Sequence, residues 1–112
     1  MSDAKKIEKI LKRRKQFFME FSSGWYGRPY DSSYRRRYIS EQEDSLIIYL
    51  DFYGNSCDVF LKKPLRITVF CTKRFLRKKK WVRIESPHII FSDETKKLKE
   101  EKDGWVEFFT MF

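Results

Sequence analysis

A chain of 112 residues with 41% hydrophobic and 18% aromatic content can build one domain around a core and is too apolar to stay disordered, while 37% charged residues and a net charge of +9 demand a strongly ionic surface. No apolar run approaches the ~18 to 20 residues of a membrane-spanning helix, and the charged N-terminus has no signal-peptide apolar stretch, so the reading is a cytoplasmic protein with no membrane partner. Two cysteines and one histidine exclude a Cys/His metal cluster, and no phosphate loop or paired-carboxylate motif is present; no metal, cofactor or catalytic residue is expected.

The spacing predicts a helix over 3–21. Ile7, Ile10, Leu11, Phe17, Phe18 and Phe21 recur on one stripe, interrupted by Arg14, and Lys5, Lys6, Lys9, Lys12, Arg13 and Lys15 fall mostly opposite. Ser2 or Asp3 can cap it, and Gly24 lies just past its end.

Residues 24–44 read as an aromatic and arginine-rich loop. It opens with GWYGRPYDSSYRRRY, Gly24 to Tyr38, whose Gly, Pro and Ser punctuation suits neither a helix nor an interior strand. Either its aromatics fold back onto a core or the segment is a contact surface, for which Arg28, Tyr34, Arg35, Arg36, Arg37 and Tyr38 are the candidates.

From Ser45 the period changes to two, which predicts a β-meander over 45–72. Leu46, Ile48, Leu50 and Phe52 form one face. A Gly54-Asn55 hairpin loop sets Phe52 opposite Cys57, Leu50 opposite Val59 and Ile48 opposite Leu61. A second reversal at Lys63-Pro64-Leu65 sets Leu61 opposite Ile67, Val59 opposite Val69 and Cys57 opposite Cys71, making the two cysteines reduced, buried neighbours.

A basic connection follows over 73–80: Lys73, Arg74, Arg77, Lys78, Lys79 and Lys80 are six cations in eight residues, and 61–80 hold nine basic and no acidic residues. The segment 81–112 reads as C-terminal strands: Trp81 to Glu85, then His88 to Phe91 paired with the aromatic stretch after Gly104, with a short helix or, since Leu98 is its only apolar residue, an ordered excursion over Ser92 to Lys102 between them. The expected fold is α+β, one domain over 1–112, in which an N-terminal amphipathic helix packs on a mostly antiparallel sheet of five or six strands.

Clustered Lys and Arg neutralise phosphates, and aromatics beside them can stack on bases. Lys12, Arg13 and Lys15, the Tyr34 to Tyr38 run, and Lys73 to Trp81 supply such clusters, with Tyr34, Tyr38, Phe75 and Trp81 as stacking candidates. The leading expectation is therefore a non-enzymatic protein whose basic face contacts RNA or DNA with little sequence preference. The alternative is an immunity, antitoxin or inhibitor protein docking an acidic surface on a partner protein, since Trp, Tyr and Arg also build interface hot spots. A third reading is a small endoribonuclease using His88.

Gly24, Trp25, Tyr26, Gly27, Arg28, Pro29, Tyr30 and Asp31, followed by alternating strands to Pro64, resemble the opening of a group of small uncharacterised bacterial proteins, over about a third of the chain. The resemblance implies special backbone angles at Gly24 and Gly27, a local backbone bond from Asp31, inward packing of Trp25 and Tyr30, and an immunity-like, partner-binding role. The lysine-rich N-terminus and the Lys73 to Lys80 run depart from that group's pattern.

Overall fold

The computed structural model describes residues 2–12, 16–25, 34–74 and 77–110. Among the described residues, one helix, α1 (Asp3–Ile10), is followed by eight strands: β1 (Phe17–Phe21), β2 (Gly24–Trp25), β3 (Tyr34–Glu41), β4 (Ser45–Phe52), β5 (Asn55–Lys62), β6 (Arg66–Arg74), β7 (Arg77–Ser92) and β8 (Leu98–Thr110). The fold is all-β with a short helical cap, which overturns the α+β expectation.

All pairing among the described residues is antiparallel. The circuit β1-β3-β4-β5-β7-β8 returns to β1, because β8 pairs with both β7 and β1, and it closes into a six-stranded barrel. Closure leaves few open edges, and alternate residues turn inward. Phe17, Met19 and Phe21 of β1, Leu46, Ile48 and Leu50 of β4, Cys57, Val59 and Leu61 of β5, and Val106 and Phe108 of β8 are buried there. Ile7 and Leu11 of the helical segment are fully buried in the same core.

The helix expected over 3–21 stops at Ile10. Ser2 caps it by accepting from the Lys5 amide at 3.3 Å, and Glu41 Oε1 accepts from the Ala4 amide at 3.0 Å, satisfying a donor that the first turn leaves open. Beyond Leu11, the apolar residues Phe17, Phe18 and Phe21 fit a helical stripe, but Phe17, Met19 and Phe21 fit a strand equally well. Pairing decides between them: β1 runs along β8 from Phe17 opposite Thr110 to Phe21 opposite Val106. One face is buried and Phe18 and Glu20 are left half-buried outside.

The loop expected over 24–44 contains two strands. Ser22 and Ser23 turn β1 into β2, and Gly24 opens β2 opposite Phe21 at φ 130, an angle that favours glycine. Tyr26 to Ser33, including Gly27, Arg28, Tyr30 and Asp31, lie outside the described residues. The Tyr34 to Glu41 stretch is a full strand beside β4, with a bulge at Arg37.

The expected meander holds for β4 and β5 and fails for β6. The β4–β5 turn is Tyr53-Gly54, both at positive φ (50 and 89), one residue earlier than expected. The register therefore shifts by two, to Leu50 opposite Cys57, Ile48 opposite Val59 and Leu46 opposite Leu61. A two-residue slip keeps every side chain on its face. β6 does not return along β5. Both lie end to end against β7: β5 pairs with Ile89–Ser92, and β6 pairs with Arg77–Glu85. Cys57 is consequently buried and Cys71 exposed, and they are not neighbours.

β7 and β8 pair over their whole length, so Trp81 to Glu85 and His88 to Phe91 belong to one strand. The buried face changes parity where Pro87 and Asp103 (φ 50) stand: Val82, Ile84 and Ser86 give way to Ile89 and Phe91, and Val106 gives way to Glu101. The paired irregularity lets the two long strands wrap around the barrel. Of the two forms expected over Ser92 to Lys102, the helix does not form: Asp93 closes a turn by accepting from the amides of Thr95 and Lys97, each at 2.8 Å, and β8 begins at Leu98. Lys96 takes the left-handed conformation there, at φ 67.

The β1–β2 turn is latched to β8. The Ser23 amide donates to Glu101 Oε1 at 3.2 Å, the Ser23 hydroxyl also reaches Glu101, and the Trp105 amide donates to Ser22 Oγ at 3.2 Å. A Cβ on Gly104 would meet Ser22 Oγ, so a larger residue there must swing that hydroxyl aside, away from the Trp105 amide it accepts from.

Candidate nucleic-acid interface

The segment expected as a basic connection is the outer half of a β-hairpin. β6 and β7 pair from Arg66 opposite Glu85 to Arg74 opposite Arg77; Phe75, expected as a stacking ring, and Leu76 lie outside the described residues. β8 follows β7 as far as Trp81 opposite Phe109. From Cys71 opposite Lys80 outward, the two strands pair only with each other among the described residues. This is an arm standing beyond the barrel.

Its charge changes along its length. At the root, Arg66 lies 3.6 Å from Glu85, and Arg83 donates to Glu107 Oε2 at 3.2 Å. The Arg83 guanidinium also sits 4.5 Å from the Trp105 ring centre and 5.5 Å from that of Phe70. No Asp or Glu occurs anywhere from Arg66 to Arg83. Toward the tip, Lys73 stands directly opposite Lys78, and Arg74 directly opposite Arg77. Like charges in directly opposed positions destabilise a strand pair, so this pattern has no explanation in the hairpin's own folding.

Between root and tip, four rings cross four adjacent strands. Phe18 stacks on Phe109 at 5.2 Å, Phe109 on Trp81 at 6.1 Å, and Trp81 on Phe70 at 5.1 Å, with interplanar angles of 16°, 21° and 12°. Such stacking couples the root of the arm to the barrel wall. It also covers both faces of Trp81, so its expected role as a base-stacking platform is not what this geometry offers. The sequence reading missed Phe18, Phe70 and Phe109 as members of this row. The signal available was the near-palindrome of cations about Phe75-Leu76, which marks a hairpin and sets the register that aligns the rings.

The remaining candidates divide between scaffold and surface. Tyr34 is 2% exposed and packs against Phe17, Phe52 and Phe91, which makes it a core residue. Arg36 donates through Nε to the Leu11 carbonyl at 2.6 Å, holding the chain after the helix against β3. Arg37 reaches Ser56 Oγ at 3.0 Å and Asp51 at 3.4 Å. Arg35 and Lys12 are exposed, and exposed Tyr38 stacks on Tyr49 at 4.4 Å. Arg35 lines a cleft with Gln16, Asp51, Tyr53 and Gly54. Arg13, Lys15 and Arg28 lie outside the described residues. Lys73, Arg74, Arg77, Lys78 and Lys79 are placed by their strand register, and Lys80 is exposed.

His88 pairs with Glu100 on β8. It stands eight residues along β7 from Lys80, roughly 26 Å of extended strand, so it and the arm do not share one site. Burial pushes the Cys57 thiol up to about 12, and the carboxylates of Glu94, Asp58 and Asp51 add to the rise. A nucleophilic thiol needs the opposite shift. Among the described residues, no helix is long and apolar enough to cross a membrane.

Comparison with protein-family models, curated proteins and solved structures returns no match for this chain.

Proposed function

We propose that this protein is a non-enzymatic nucleic-acid-binding protein whose contact element is the β6–β7 arm. The observation that carries the proposal is the pair of opposed like charges, Lys73 against Lys78 and Arg74 against Arg77, in a ten-residue tip with six cations and no carboxylate. Folding gains nothing from that arrangement, whereas a polyanion turns each repulsion into a pair of phosphate contacts. The barrel supplies a rigid base, and the stacked rings fix the arm's direction. The contact set accordingly centres on Lys73, Arg74, Arg77, Lys78, Lys79 and Lys80, with Tyr34 and Arg36 assigned to the scaffold. The proposal includes a cytoplasmic location, which two unlinked cysteines suit.

The half-buried ring row beside the arm favours one second reading, in which a partner protein with an acidic surface covers the rings and answers the cations. Salt-dependent fluorescence anisotropy with labelled oligonucleotides separates the two. If all six cations engage phosphates, log Kd rises with log salt with a slope of about 5. No binding near ~50 mM salt, together with recovery of one stoichiometric protein from a nuclease-treated pull-down, would overturn the nucleic-acid reading in favour of the partner protein.

A further inference from the structure

Resting on the proposed function, we infer that the arm's ligand is a DNA duplex, entered through the major groove. Two independent features lead there. The first is the state of the rings. A single-stranded ligand is held by bases stacked on open aromatic faces. Here Trp81 and Phe109 each have a ring on both faces, and Phe70 meets Trp81 on one side with the Arg83 guanidinium 5.5 Å from its centre. The root of the arm therefore presents ring edges to a ligand, and edges do not stack bases.

The second is the shape of the arm. Cys71 to Arg74 and Arg77 to Lys80 form a two-stranded ribbon with no third strand among the described residues. Four residues per strand reach roughly 13 Å. The major groove of B-form DNA is about 12 Å wide and about 8.5 Å deep and admits a two-stranded ribbon. The same groove of an A-form RNA duplex is too narrow and deep to be entered by protein elements. Cations on both strands of the ribbon suit a groove with a phosphate backbone along each wall. A lone strand offers one.

The test uses the full chain and three labelled probes of one sequence at about 100 mM salt: a 16-base-pair DNA duplex, the corresponding RNA duplex and the single DNA strand. The expected result is a Kd for the DNA duplex at least tenfold below either other probe. Glucosylated 5-hydroxymethylcytosines, which fill the major groove, should weaken duplex binding tenfold or more. The Arg74→Ala/Arg77→Ala variant should lose duplex binding while keeping the thermal midpoint of the parent chain, which shows that it remains folded. Equal or tighter binding to the single strand or the RNA duplex, or indifference to the glucosylated bases, would overturn the inference and leave the broader proposal standing. Failure to bind any of the three probes would remove both.

Discussion

Lys73 and Lys78 occupy directly opposed positions in the β6–β7 ladder, one pair inward from Arg74 and Arg77. A ladder built for stability alone would place an acid at one of these sites. Replacing Lys78 with Glu converts a repulsive cross-strand pair into an attractive one, worth about 0.2–1 kcal/mol. The same change removes one phosphate contact and adds a repulsion. K78E is therefore expected to unfold at a slightly higher temperature than the parent while binding duplex DNA at least tenfold more weakly, with a salt slope lower by about 1 to 2. Calorimetry and anisotropy on the same sample check both halves. A variant that loses stability and keeps its affinity would show that the cations serve the hairpin.

The opposite division of roles is expected at Arg36, although it belongs to the same kind of basic run. Its Nε donates to the Leu11 carbonyl at 2.6 Å, where the chain leaves the helix with Leu11 fully buried. A hydrogen bond from a charged donor to a partly buried carbonyl contributes about 1.5–3 kcal/mol. Arg36→Met should lower the unfolding free energy by that amount in urea titration. Its affinity for DNA should remain within about twofold of the parent, since the side chain points into the scaffold.

How much of this was legible beforehand depends on which interaction decides each element. The alternation of Leu46, Ile48 and Leu50 gave the buried face of β4 directly, and a turn misplaced by one residue shifted the β5 register by two without turning any side chain over. Ile67, Val69 and Cys71 alternate just as well, yet parity cannot say which strand they pair with. They face Ile84, Val82 and Lys80 of β7, although the same alternation fits β5. At Phe17 to Phe21, period two and helical spacing were both available, and burial against β8 chose the strand. The cationic run was plain in the sequence. What it could not show was that Arg36 and Tyr34 are consumed by the core and its cap, because that depends on contacts with residues far along the chain, such as Leu11 and Phe91.

Two tyrosines four residues apart on β3 should respond very differently to truncation. Tyr34 is 2% exposed, with rings of Phe17, Phe52 and Phe91 around it, whereas Tyr38 is 56% exposed and touches the Tyr49 ring. Emptying the first site leaves a cavity at the seam where β1 and β3 close the barrel through Phe17 opposite Tyr34. Tyr34→Ala should cost about 3–5 kcal/mol. Tyr38→Ala forfeits one cross-strand ring pair and should cost about 0.2–1 kcal/mol. Denaturant titration of the two variants, side by side, reads the contrast.

The last expectation concerns alkaline pH. Burial raises the Cys57 thiol from its ordinary 9.0 to about 12, with the charges of Glu94, Asp58 and Asp51 acting in the same direction. In the unfolded chain the thiol ionises near its ordinary value. Above that pH the folded state holds a proton that the unfolded state has released, so stability is unaffected below about pH 9 and falls as pH rises toward about 12. Well inside that window the loss approaches about 1.4 kcal/mol per pH unit for this group alone. Cys71 is exposed and sets the contrast. Urea titrations at pH 8 and about pH 10.5 should show the parent losing more stability over that interval than Cys57→Ala does. Ellman's reagent should modify one thiol in the folded protein and the second only on unfolding. Equal pH sensitivity of the two proteins would mean that Cys57 ionises in the folded state as readily as in the unfolded chain.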